Sequence, residues 1–187
     1  MRAWMIAAAL VATAPAAAAQ SAAPPPPPAV APAYVSALCV WRALPDPTRA
    51  QLLAAGPGVN DLAQALKTDA AAALQTAGDG CHVPAAGAAH DDELQAFTFV
   101  VVEAWASARL HSGFGVDEAA LRQAWARVSA DTRAKVLAAD LEPTPDDAIA
   151  ALADFTADLH VTDPAAKLLV AIYASVRLHL APLGETG

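Results

Sequence analysis

Apolar residues recur three and four positions apart along most of the chain, and the runs end at Pro, Gly or Asp, a pattern of helices rather than strands. The first expected helix covers 34–44 and stops at Pro45, because proline disfavours helical geometry in the residue before it. Asp46 as N-cap and Pro47 at the first helical position open a second, which runs to about Ala55 and ends at Gly56-Pro57-Gly58. Asn60 can cap a third over 61–76, closed by Gly78, and a fourth covers 92–111, ended by Gly113. The pattern then predicts helices over 117–128, 131–140, 146–159 and 164–180, with Asp163 capping the last.

Two of these helices are apolar on most sides. In the fourth, Leu94, Phe97, Val101, Trp105 and Ala108 cover one side while Phe99, Val100, Val102 and Leu110 fill others. In the last, Leu168, Leu169, Val170, Ile172, Val176 and Leu178 do the same. Such helices are buried ones, so both are expected at the centre, with Ala106, Ala108, Ala171 and Ala174 allowing close approach.

The chain also repeats itself. The stretch from Trp41 to Ala55 aligns without gaps on that from Trp125 to Ala139, sharing the tryptophan, an aliphatic three residues on, Thr-Arg-Ala, two aliphatics and Ala-Ala. Further on, Trp105-Ala-Ser-Ala-Arg-Leu-His111 matches Tyr173-Ala-Ser-Val-Arg-Leu-His179. The expectation is an all-α domain over 34–183, made of two tandem, unequal helical repeats, 34–113 and 117–183, with about eight helices and two buried central ones. The spacing does not fit the 34-residue tetratricopeptide frame.

Composition changes how this hydrophobicity is read. The chain is 56% hydrophobic, but 53 of its 187 residues are alanine, which favours helix and buries little area. Aromatic residues are 5%, and Lys+Arg 11 against Asp+Glu 19 gives a net charge of −8, so binding to nucleic acid is not expected.

The N-terminus reads as an address. Arg2, an apolar stretch over 3–14 and Ala17-Ala18-Ala19 before Gln20 form a secretory signal peptide, 1–19, cut after Ala19. Residues 20–33, with five consecutive prolines at 24–28, read as a Pro/Ala-rich linker of polyproline II type. The expected location is the periplasm or the medium of a bacterium, with no stable membrane insertion once the signal is removed. In that oxidising setting Cys39 and Cys81, the two cysteines of the chain, read as a disulfide.

Candidate chemistry is sparse. His111 and His179, with Arg109 and Arg177 two residues before them, sit at helix ends where the helix dipole favours cations. Ser107 and Ser175 lie one turn from those histidines, but a serine hydrolase would also need an orienting acid and oxyanion donors. Arg49 and Arg133 fall in the first turn of their helices, where a cation opposes the dipole, so each should have a fixed partner, a carboxylate or a C-terminal carbonyl. The loop also offers His82, and His90-Asp91-Asp92-Glu93 could bind a divalent ion, although acidic residues at a helix start are ordinary capping and dipole chemistry. The sequence contains no H-E-x-x-H, G-x-S-x-G, P-loop, C-x-x-C or C-x-x-C-H motif, and no catalytic residue, metal ligand or cofactor is assigned. The function expected is a non-catalytic interaction or accessory protein of the bacterial cell envelope, with an envelope protein as partner. The alternative is a small-ligand carrier, or an enzyme with its site between the two copies.

Overall fold

The computed structural model describes residues 31–141 and 152–183. The expected signal peptide, the linker through Val30 and the start of the helix expected over 146–159 lie outside these residues. The described residues form nine α-helices and a closing 3-10 turn, with no strand among them.

Helix α1, Pro32–Ala43, begins slightly earlier than expected because Pro32 is itself suited to the first turn, and Leu44 ends it in extended geometry ahead of Pro45. Helix α2, Asp46–Leu53, takes Pro45 as N-cap, so Asp46 is its first helical residue and pairs with Arg49 instead of capping. Helix α3, Val59–Thr68, starts at Gly58, whose N–H donates to Asp61 Oδ2 at 2.9 Å; Asn60 is not the cap.

The single helix expected over 61–76 is two. Helix α4, Ala71–Gly80, begins after a break at Asp69 and Ala70, where both N–H groups turn onto Ala65 O, at 2.9 and 3.1 Å. Thr68 Oγ1 lies 3.0 Å from both Gln64 O and Asp69 Oδ1, which share its one hydrogen, a side-chain interaction of the kind that competes with helix continuation. The break buries Ala70 and lets α4 fold back along α1, and α4 then passes through Gly78 to stop before Cys81.

Helix α5, Ala88–Phe114, is roughly 40 Å long at 1.5 Å per residue. It starts after Gly87, at φ 94°, and runs past Gly113 to Gly115, whose left-handed φ of 69° closes it. There Gly115 N–H meets His111 O at 3.0 Å and Val116 N–H meets Leu110 O at 3.2 Å, which satisfies two carbonyls of the last turns, with Val116 buried behind them. Gly113 makes no such turn, so the expected stop was two residues early.

Helix α6, Glu118–Arg127, leads to α7, Ala130–Leu141. The hydroxyl of Ser129 accepts Thr132 N–H at 3.1 Å at the entry to α7. On its surface the Asp131 carboxylate lies 2.8 Å from Lys135 Nζ, and that hydrogen bond and charge raise the Lys135 pKa above its ordinary value. Helix α8, Ala153–Asp158, ends with His160 at φ 54°. Helix α9, Pro164–Leu180, is capped by Asp163, which accepts from Ala165 N at 2.8 Å and Ala166 N at 3.2 Å.

One apolar cluster runs from Ala37 of α1 to Leu180 of α9. Its main contacts join α5 to α9 and α5 to α1. Val101, Trp105, Ala106 and Leu110 of α5 meet this core fully buried, as do Val170, Ala174 and Leu180 of α9. The buried indole of Trp105 donates to Ala55 O, 3.2 Å away at the end of α2, so it enters the core with its polar group satisfied. Leu94 is 54% exposed and Leu168 45%, so each long helix keeps an open apolar position among the residues expected to be covered.

Candidate functional site

The two arginines that oppose their helix dipoles reach backward. Arg49 Nη1 donates to Leu44 O at 2.6 Å and Arg42 O at 3.0 Å, with Trp41 O at 3.4 Å, and its other nitrogen pairs with Asp46. These are the carbonyls left unpaired where α1 stops, so Arg49 serves as a C-terminal cap for the preceding helix from the first turn of the next. Arg133 Nη2 donates to Trp125 O at 3.1 Å, and its guanidinium lies 5.0 Å from the centre of the Trp125 ring. Each arginine thus finds the carbonyl of the tryptophan eight residues before it, one of the two partners the sequence suggests.

The paired Arg and His residues at the ends of α5 and α9 part company. Arg177 is buried, 2.9 Å from Glu103 of α5, with its guanidinium 5.9 Å from the Tyr173 ring. His179 stacks on Phe99 with centroids 4.8 Å apart and rings nearly parallel. Arg109 is half-buried and joined to no described carboxylate, and His111 is exposed. The dipole argument therefore leaves out what fixes α9, a charge pair and a ring stack across to α5.

Arg49 and His111 do come together. With Trp41, Ser107, Asp117 and Glu118 they line an open groove of about 480 Å³ where the first half of the chain meets the start of α6. Among the described residues no hydrogen bond links Ser107 to His111, or His111 to Asp117 or Glu118, so a serine–histidine–acid relay is not assembled there. Arg133 is not among the groove residues.

Cys39 and Cys81 form a disulfide, with Cα atoms 5.9 Å apart, that ties α1 to the end of α4. Beyond it the loop residues separate. His90 Nδ1 lies 2.8 Å from Pro84 O, Glu93 Oε1 accepts from Ser36 Oγ at 3.1 Å, and His82, Asp91 and Asp92 are exposed. No group of three His, Cys, Asp or Glu side chains placed to hold a metal ion occurs among the described residues.

Sequence reasoning overlooked Glu103 and Phe99 as partners. Their contacts span 74 and 80 positions, and an acidic residue within a long apolar stretch of helix was the one available signal. No helix among the described residues is long and apolar enough to cross a membrane. The chain matches no family model, no curated protein and no solved structure.

Proposed function

We propose that this chain is an exported helical accessory protein of the bacterial cell envelope that binds a protein partner and carries out no catalysis. In this reading a signal peptide, 1–19, and a Pro/Ala-rich tether, 20–33, precede one domain built of two unequal copies, 34–113 and 117–183. The long helices α5 and α9 are its centre.

One observation carries the reading: most of the singled-out chemical side chains are committed to holding helices together. Arg49 and Arg133 cap, Arg177 neutralises Glu103, and His179 stacks on Phe99. The disulfide suits an oxidising compartment. The shared reach of Arg49 and Arg133 to a tryptophan carbonyl supports the duplication. Expression of the full chain with a C-terminal tag in a Gram-negative host tests it. The expected result is a periplasmic product beginning at Gln20 that crosslinks to one envelope protein. A product retained in the cytosol with Met1 in place, or one that crosslinks to nothing, overturns it.

The groove shared by Trp41, Arg49, His111 and Asp117 favours a second reading, a carrier or enzyme with its site between the copies. A small molecule retained in native mass spectrometry and lost in the His111→Ala variant would support that reading instead.

A further inference from the structure

We propose that the cavity walled by α1, α4, the loop over 81–87 and the first turns of α5 binds a small organic amine with an apolar body. The space measures about 380 Å³, within the roughly 300–1,000 Å³ of small-ligand pockets. Val40, Leu74, Val83 and Phe97 give it apolar walls from four separate segments, so the occupant needs an apolar part. The disulfide fixes those walls, since Val40 follows Cys39 directly and Val83 lies two residues beyond Cys81.

The polar lining selects charge. Asp79 and Glu93 contribute carboxylates and His90 an imidazole, while no Lys or Arg lines the cavity. Glu93 is the anchor: its Oε1 accepts from Ser36, whereas its Oε2 is shut off from solvent and accepts from no described residue. A carboxylate oxygen with neither water nor a donor is unfavourable, and a ligand N–H corrects it. The last torsion of a glutamate is a broad twofold rotor, and in this proposal it turns on binding to bring Oε2 to the cavity that Glu93 lines. An ammonium brings three donors and the opposite charge, forming a charge-assisted hydrogen bond there. His90 Nδ1 is engaged with Pro84 O at 2.8 Å, which holds the imidazole in place in the cavity wall. This site shares no lining residue with the groove beside Arg49, and amine binding is read independently of partner capture.

Calorimetry on the purified chain with its disulfide intact tests the proposal, using 2-phenylethylamine and, as a probe of similar size and opposite charge, 3-phenylpropanoate. The amine is expected to bind one to one and at least tenfold more tightly than the carboxylate. Glu93→Gln should weaken it at least tenfold. Gly78→Leu provides a second variant that keeps every charge. A Cβ at Gly78 meets only Val83 Cβ, at an ordinary 3.9 Å, so α4 accommodates a side chain that then fills the cavity and abolishes binding. Circular dichroism verifies that each variant is folded. No binding of the amine, equal binding of the carboxylate, or unchanged amine affinity in a folded variant of either kind overturns the proposal.

Discussion

The turn from α1 into α2 and the turn from α6 into α7 share a sequence frame and are held by different forces. In the first, Pro45 offers neither an N–H nor a capping side chain, and Arg49 supplies the polar closure by gathering the carbonyls of Arg42 and Leu44. In the second, Ser129 provides a hydroxyl for Thr132 N–H, the Trp125 carbonyl already accepts Val128 N–H at 3.0 Å, and Arg133 adds one further hydrogen bond to that carbonyl while lying against the Trp125 ring. The same contrast extends further. The first half carries the disulfide, where Gln123 stands at the position matching Cys39, and the second half carries the buried Arg177, whose counterpart Arg109 pairs with no carboxylate among the described residues. A matching residue thus keeps its place in the frame while its work is set by its neighbours.

Removing the disulfide should break this comparison most severely. The bridged residues are 42 apart in sequence, and chain entropy assigns a loop of that size about 4 kcal/mol, with about 2–4 kcal/mol the usual range. Cys39→Ala together with Cys81→Ala should lower urea-unfolding stability by that amount, with hydrogen exchange rising first in α1 and α4. Exchange that rises equally in α9 would mean that the bridge stabilises the whole chain rather than the first half.

Next in size is the pair between the long helices. Arg177 and Glu103 have side chains 7% and 20% exposed, so removing the cation strands a largely desolvated carboxylate. Arg177→Met should cost about 2–4 kcal/mol, and Arg109→Met less than about 1 kcal/mol. Adding Glu103→Gln to Arg177→Met should restore part of the loss, because the stranded charge goes with it. Equal losses for the two arginines in urea titrations would erase the distinction drawn between the ends of α5 and α9.

The legible parts of the molecule were those written locally. Asp163-Pro164 marks a helix start by chemistry contained in adjacent residues, and α9 begins there. The two cysteines in an export-like sequence were enough to pair Cys39 with Cys81. The break between α3 and α4 was hidden because Ala63, Ala65 and the alanines at 70–73 continue a helical pattern whether the chain bends or not. Gly113 was the expected stop, whereas the helix runs on to Gly115, where the chain turns and Val116 is buried, a tertiary contact that the local sequence does not announce. Arg49 and Arg133 were recognisable as misplaced cations, since a helix start repels them. The partner of Arg177 was not, because nothing near position 177 points to Glu103.

The smallest effect sharpens the opening contrast most directly. Arg49→Ala removes the donors to the end of α1, and with the side chain 28% exposed water replaces part of what is lost, so the cost should be about 1–2 kcal/mol. Arg133→Ala removes one such hydrogen bond and a cation–π contact, together about 1 kcal/mol, but it also removes a buried Nε that has no partner among the described residues, which offsets part of that loss. The first substitution should therefore be the more damaging, although it leaves a half-buried tryptophan where the second leaves a buried one. Tryptophan fluorescence followed through urea unfolding gives both values. If Arg133→Ala proves as costly as Arg49→Ala, the Trp125 stack is worth as much as the carbonyl cap, and Pro45 and Ser129 do not explain the difference between the two turns.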